Sequence, residues 1–244
     1  MTRRYFVPDL PAQGGLVALP TEEAVHAARV MRVAIGDPVV LFAGDGRQSS
    51  GEITSVDRRR VFCQVDPPSE VSRELSGAIT ITACLPKGDR AKWMVEKLTE
   101  LGVAKVQPIV TARSQTNPSV STLNKLRKQV IEASKQSGRN QLMTILDPID
   151  FRDLLADLDS NAAISLNQKL RVIAHPGGAP LKSFELTSHS AVNLFIGPEG
   201  GFTDQEVQAA GDAGCHAIGL GPTILRVETA ATAGASAIIA IAGW

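Results

Sequence analysis

The chain has 244 residues, 43% apolar and 20% charged, with 25 basic side chains balancing 25 acidic ones, which excludes a disordered, collagen-like or disulfide-rich secreted protein and fits one or two domains of roughly 100–200 residues. No apolar run approaches the roughly 18 residues of a membrane span, and Met1–Pro8 offers two arginines but no apolar core of a signal peptide. Cys63, Cys84 and Cys215 are odd in number and lack CxxC spacing, so the expectation is a reduced, cytoplasmic protein with no cysteine metal site and no membrane contact.

The first 70 residues predict short strands at Leu16–Leu19, Pro38–Phe42, Gly51–Val56 and Arg60–Val65, separated by Gly14-Gly15, Gly36-Asp37, Gly44-Asp45-Gly46 and Asp57-Arg58. Such spacing suggests a small barrel. One helix, Thr21 to about Val33, interrupts it, opening on the acidic pair Glu22 and Glu23. Pro67 to Gly77 is polar and turn-rich, which places a domain boundary there: residues 1–72 and 73–244.

Beyond the boundary, strands and helices alternate. Strands are expected at Ala78–Leu85, Lys105–Val110, Ala162–Leu166, Arg171–Ala174, Ala191–Ile196 and His216–Leu220. Helices are expected at Arg90–Leu101, Ser121–Ser137, Phe151–Leu158, Asp204–Ala213 and Thr229–Ala242. This is the pattern of an α/β fold with a mostly parallel sheet. Gly102 stops the first helix, Thr203-Asp204-Gln205-Glu206 is a capping box, and Gly214 closes the helix it starts. The small residues of the last helix suit close packing, either within the chain or between subunits.

In open α/β sheets ligands bind beyond the carboxyl ends of the strands. Three glycine-bearing loops lie there: His175-Pro176-Gly177-Gly178, Ile196 to Phe202, and Leu220 to Thr229. Neither a dinucleotide G-x-G-x-x-G after a strand nor a P-loop is present. Glu199 would repel a phosphate, so a ligand bearing donors or positive charge suits these loops, and S-adenosylmethionine fits without being unique. His26, His175, His189 and His216 show no metal-ligand spacing, and G-x-S-x-G is absent.

Charge is unevenly spread. Residues 1–72 carry net −1, residues 73–150 net +5 and residues 151–244 net −4, which leaves open either a polyanion footprint or solvated helix faces. Lys87, Arg90 and Lys92 flank a helix N-terminus, where cations oppose the dipole unless an anion comes there. Lys125, Arg127, Lys128 and Lys135 lie on the second long helix. Arg139 follows it, placed either to satisfy terminal carbonyls or to reach a phosphate or base.

These residues also carry a family resemblance. Arg4-Tyr5-Phe6-Val7, His26-x-x-Arg29-Val30-Met31-Arg32, Lys87-x-x-Arg90, Glu96-Lys97-x-Thr99-Glu100-Leu101-Gly102, Arg113-Ser114 and Glu132-Ala133-x-x-Gln136-Ser137-x-Arg139 contribute to it. The most specific pieces are Ile196-Gly197-Pro198-Glu199-Gly200-Gly201-Phe202 and Leu220-Gly221-x-x-Ile224-Leu225-Arg226-x-Glu228-Thr229-Ala230. Over nearly its whole length the chain resembles the RsmE family of 16S rRNA uridine N3-methyltransferases, in the SPOUT superfamily. One departure is Asn140-Gln141-Leu142-Met143, where a proline-containing stretch is usual. The resemblance implies a PUA-like β-barrel that binds RNA, then a SPOUT domain with a C-terminal trefoil knot. It also implies a homodimer acting on 16S rRNA within the small ribosomal subunit.

S-adenosylmethionine would be held by His175, Ile196, Gly197, Pro198, Glu199, Gly200, Gly201, Leu220, Gly221, Ile224, Leu225 and Arg226. Methyl transfer to N3 needs that nitrogen's proton removed. Arg139 or Arg226 is expected to stabilise the resulting anion and Glu199 or Glu228 to take the proton. RNA contacts are expected from Arg3, Arg4, Arg29, Arg32, Lys87, Arg90, Arg113, Lys125, Arg127, Lys128 and Lys135. A noncatalytic RNA-binding module and a related enzyme acting on tRNA remain the alternatives.

Overall fold

The structure, a computed structural model, describes residues 3–115, 117–160, 169–187 and 190–244. The chain divides into two compact units, Met1–Glu74 with Ile131–Leu142, and Leu75–Val130 with Met143–Trp244. The second stretch of the first unit includes the last residues of a helix that the linear boundary at 72/73 assigns wholly to the other side.

In the first unit β1 (Arg3–Phe6), β2 (Gly15–Ala18), α1 (Thr21–Arg29), β3 (Pro38–Phe42), β4 (Arg47–Val56), β5 (Val61–Val65) and β6 (Ser69–Glu70) follow in chain order. The sheet runs β1-β3-β4-β5-β2, with β6 on β4. β1 is parallel to β3 and the other pairings are antiparallel. Alternation fixes the inward set: Tyr5, Val17, Leu41, Ile53, Val61 and Cys63 are buried, and Ala24 and Ala27 of α1 pack with them. Burial pushes the Cys63 thiol up to about 11. α1 ends at Arg29 rather than near Val33, and the chain leaves it through Arg32 at φ 48. β1 was not foreseen, being only four residues with two arginines at its head.

The second unit contains β7 (Ala78–Ala83), α2 (Asp89–Glu100), β8 (Lys105–Val110), β9 (Thr144–Ile145), β10 (Ile149–Asp150), α4 (Phe151–Ser160), β11 (Lys169–Pro180), β12 (Ala191–Ile196), α5 (Asp204–Asp212), β13 (His216–Gly219) and α6 (Val227–Ala242). Between β8 and β9 runs α3 (Val120–Ser137), the helix divided between the units. The sheet order is β10-β8-β7-β12-β11-β13, with β9 also on β8, and every pairing is parallel. The α/β expectation holds. The expected strand Ala162–Leu166 lies outside the described residues.

The predicted stop at Gly102 is a left-handed residue, φ 83, which an L side chain adopts at a cost. α6 uses its small residues inside the chain: Ala231, Gly234 and Ala235 are buried, and a Cβ on Gly234 would strike the Leu194 side chain of β12. A parallel sheet directs the loops after β12 and β13 to one edge; His175–Gly178, expected as a loop after a strand Arg171–Ala174, lies instead within β11, at the irregularity between Ala174 and Ala179 where its pairing with β13 shifts register.

Candidate functional site

These two loops and the irregular stretch of β11 close around a cleft of about 620 Å³, lined by His175–Gly177, Ile196–Phe202 and Leu220–Leu225 together with Arg113, Ala174, Asp204, Val227 and Ala230. Cavities of roughly 300–1,000 Å³ suit small ligands. Every residue read from sequence as cofactor-binding lines the cleft except Arg226, which is exposed at the N-cap of α6.

The loop after β12 is shaped by contacts that sequence only partly announces. Gly201, φ 69, donates its N–H to the Pro198 carbonyl at 2.8 Å. Gly197 faces the Phe202 ring, so a Cβ there would lie 3.0 Å from a ring carbon. Gly200, by contrast, has no left-handed φ, and a Cβ there would make ordinary contact with Arg113. Arg113 Nη1 donates to the carbonyls of Gly200 (2.8 Å) and Phe202 (3.4 Å). Glu206, buried, completes the capping box through the N–H and hydroxyl of Thr203 and accepts from the Ala112 N–H at 2.8 Å. One carboxylate thereby joins the glycine loop to the loop after β8.

On the other side of Pro198 and Glu199 lies a smaller recess, lined by Cys84, Leu85, Pro86, Lys87, Arg90, Ser114, Gln115, Pro198 and Glu199. Cleft and recess share Pro198 and Glu199. Cys84, its thiol pushed up by burial, sits 3.3 Å from the Ser114 hydroxyl. Cys84, Ser114 and Gln115 were not singled out as site residues, though the strand-end rule applies equally to β7 and β8.

Arg90 stands on the first turn of α2, where the dipole calls for an anion. Two carboxylates answer it: Nη2 is 3.1 Å from Glu199 Oε1, and Nη1 is 3.8 Å from Glu228 Oε2. Glu228 is buried on the first turn of α6, and its Oε2 has no hydrogen-bond partner among the described residues.

The other cations read as RNA contacts are distributed differently. Lys135 is buried, with Nζ 3.0 Å from Glu23 and 2.7 Å from Glu132. Burial alone would lower its pKa, but bonds to Glu132 and Glu23 outweigh that and hold it above the usual value. Arg139 is also buried, its Nε and Nη2 donating to the Glu74 carboxylate. These two side chains answer carboxylates of their own unit instead of facing outward. Arg4 lies over the Phe42 ring and donates to Asn140 Oδ1 at 2.6 Å. Burial, followed by repulsion from Arg73, lowers its pKa to about 10. Arg3 pairs with Asp37, and Arg127 donates to Asp147 at 2.9 Å. Arg29, Arg32, Lys87, Lys125 and Lys128 are exposed. His175 lines the cleft, His216 stacks near Phe184, and His189 lies outside the described residues. Among the described residues no group of three His, Cys, Asp or Glu side chains is placed to hold a metal ion.

Against known proteins, the family described as RNA methyltransferase domain matches residues 73–239, and that described as RNA methyltransferase PUA domain matches residues 19–66. Ribosomal RNA small subunit methyltransferase E of Bacillus subtilis (strain 168) is 31% identical over 97% of this chain and 95% of its own length. The protein of the same name from Synechocystis is 30% identical over 92% of this chain and 73% of its own. A crystal structure of ribosomal RNA small subunit methyltransferase E from Neisseria gonorrhoeae bound to S-adenosyl methionine superposes with a TM-score of 0.88 at 29% identity, covering 99% of this chain and 98% of that one.

Proposed function

The chain belongs to the ribosomal RNA small subunit methyltransferase E family of RNA methyltransferases, and from that premise we propose that it methylates N3 of one uridine in 16S rRNA with S-adenosylmethionine as methyl donor. The observation that carries the reading is the cleft itself: glycine-bearing loops on the ends of β12 and β13 and the glycine-bearing irregular stretch of β11 between them, beside a recess that holds both cations and a carboxylate.

The residues present suit that cofactor. Apolar Leu220, Ile224, Leu225, Val227 and Ala230 offer a surface for an adenine ring, and the glycine loop offers backbone carbonyls to amino and hydroxyl donors. S-adenosylmethionine supplies an electrophilic methyl carbon. The chain's task is to present N3 in line with that carbon, exclude water and favour the deprotonated base.

Several finer features belong to the same reading. Residues 1–72 act as a PUA-like RNA-binding barrel and residues 73–244 as a SPOUT domain with a C-terminal trefoil knot. Support for the knot is the close crossing at β11. This strand pairs with β13 on both sides of an irregularity between Ala174 and Ala179, and a Cβ on Gly178 would run into the Ile218 backbone. The working enzyme is a cytoplasmic homodimer on the small subunit. Exposed Arg29, Arg32, Lys87, Lys125, Lys128 and Arg226 are the side chains we assign to phosphate.

The test is incubation with methyl-labelled S-adenosylmethionine and small ribosomal subunits, free 16S rRNA or tRNA, followed by nucleoside mass mapping. The expected product is 3-methyluridine at one 16S position. Label in tRNA alone would move the substrate, and no calorimetric binding of S-adenosylmethionine would remove the enzyme.

A further inference from the structure

The recess behind Pro198 and Glu199 has about 20 Å³ of free space, room for one water molecule and too little for a base. Its charged walls therefore face one another. Arg90 is the cation at the centre of them. It stands on the first turn of α2, whose N-cap is Gly88 and carries no capping side chain, and where a cation opposes the helix dipole. Nη2 lies 3.1 Å from Glu199 Oε1, and Nη1 lies 3.8 Å from Glu228 Oε2.

The two carboxylates belong to different walls of the large cleft. Glu199 sits in the loop after β12, which lines the cleft from Ile196 to Phe202. Glu228 sits in the first turn of α6, between Val227 and Ala230, which line it as well. In the sheet β11 lies between β12 and β13, so strand pairing does not join these two walls directly. A planar guanidinium can reach two partners at once. The far side of the glycine loop is already held, by Arg113 on the Gly200 and Phe202 carbonyls and by Glu206 on Thr203. Glu228 gives an independent sign of the same role. Only 9% of its side chain is exposed, and its Oε2 has no hydrogen-bond partner among the described residues. A buried carboxylate left without a cation is strongly destabilising.

From this arrangement we infer that Arg90 is a positioning residue and not an RNA contact: it staples Glu199 to Glu228 and so fixes the spacing of the two cleft walls before the ligand arrives. The inference rests on the proposed function only for the identity of that ligand, S-adenosylmethionine. A cleft held at its bound width spends less of the binding energy on ordering loops.

The experiment compares the parent with Arg90→Ala, Arg90→Lys and the double variant Arg90→Ala/Glu228→Gln. Hydrogen exchange of the ligand-free protein, melting temperature and calorimetric S-adenosylmethionine affinity are measured for each. Arg90→Ala should speed exchange in peptides covering Glu199–Phe202 and Val227–Ala230, lower the melting temperature, and weaken cofactor binding about five- to thirtyfold, the cost of reordering one or two side chains. In the double variant the buried charge is gone, so melting should recover while affinity and exchange do not. Arg90→Lys keeps the charge without the fork and should recover melting more than affinity. Unchanged exchange in both peptides, or parental cofactor affinity in Arg90→Ala, would overturn the staple. So would a double variant that recovers affinity together with melting, because Arg90 would then only neutralise Glu228. Parental affinity for the cofactor with weaker RNA binding, and a salt slope lower by about one, would return Arg90 to the RNA. A parent that binds no S-adenosylmethionine removes the proposed function, and faster exchange in Arg90→Ala would still uphold the staple.

Discussion

Glu206→Ala tests whether the glycine loop owes its shape to one buried carboxylate. In the parent, Oε2 accepts from the Thr203 N–H at 2.8 Å and its hydroxyl at 3.0 Å, while Oε1 accepts from the Ala112 N–H at 2.8 Å. The Thr203 hydroxyl still caps the Glu206 N–H in the variant, so only the carboxylate's own bonds are lost. Hydrogen bonds to a charged group are worth about 1.5–3 kcal/mol each. Ala112 is exposed, so water replaces part of its bond. The net cost is roughly 2–4 kcal/mol. For a unit of this size each kcal/mol shifts melting by about 2–4 °C, so the second unit should melt roughly 4–16 °C lower. Differential scanning calorimetry with and without S-adenosylmethionine reads both consequences. Cofactor affinity should fall by at least about fivefold, because the freed loop must be reordered on binding. Glu206→Gln, which retains one good acceptor, should lose about half as much. A melting shift under about 2 °C would refute the ledger of bonds. A full melting shift with cofactor affinity intact would refute the link from Glu206 to the cleft.

Gly197→Ala should weaken S-adenosylmethionine binding in calorimetry while the fold persists, since a Cβ 3.0 Å from the Phe202 ring pushes the loop outward; unchanged affinity would detach this loop from the site. Arg139→Ala should cost about 3 kcal/mol, the low end for a broken buried pair because Glu74 keeps some exposure. Arg139→Lys should recover little of that without the planar fork. If both variants melt normally but methylation collapses, the guanidinium serves RNA instead. Asp37 is held below its ordinary 3.8, first by the Ala34 N–H and then by Arg3. A depressed folded value stabilises above the unfolded pKa and is lost as pH falls through the folded one. Asp37→Asn should therefore flatten the acid limb of the stability curve below about pH 4, and an unchanged limb would assign acid unfolding to other carboxylates.

What was legible in the sequence is what local grammar governs. The loops after β12 and β13 could be read because a strand end followed by glycine and proline is a local pattern, and the sheet rule says where such ends point; the same pattern at His175–Gly178 marks an irregularity within β11 rather than its end. The capping box at Thr203 and the stop at Gly102 are equally local. The Arg90 site was half legible: dipole reasoning required an anion at the head of α2. That the anions are Glu199 and Glu228 depends on a parallel sheet bringing distant strand ends to one edge. Positive φ belongs to Gly201 and not to its neighbour Gly200, and two adjacent glycines do not announce which one turns. Glu206 showed its capping role in sequence and hid its bond to Ala112, which comes from another strand end.

The basic stretch between residues 73 and 150 shows why a segment's net charge is weak evidence for a polyanion. Its sign is real, but charge counted along a chain becomes a field only where fold leaves it unneutralised. Lys92 pairs with Asp89, Lys97 with Glu96 and Glu100, Arg127 with Asp147, Lys135 with Glu23 and Glu132, and Arg139 with Glu74. Arg113 and Arg73 donate to carbonyls, and Arg90 lies between Glu199 and Glu228. Glu23, Glu199 and Glu228 fall outside the stretch and were counted against the flanks, so the +5 overstates what a phosphate would meet. Phosphate contact then falls to a few exposed lysines, and the salt dependence of RNA binding should be shallow for so basic a segment. Changing Lys125 to alanine should flatten that slope further, whereas a slope untouched by the change would place the RNA on the first unit's Arg29 and Arg32.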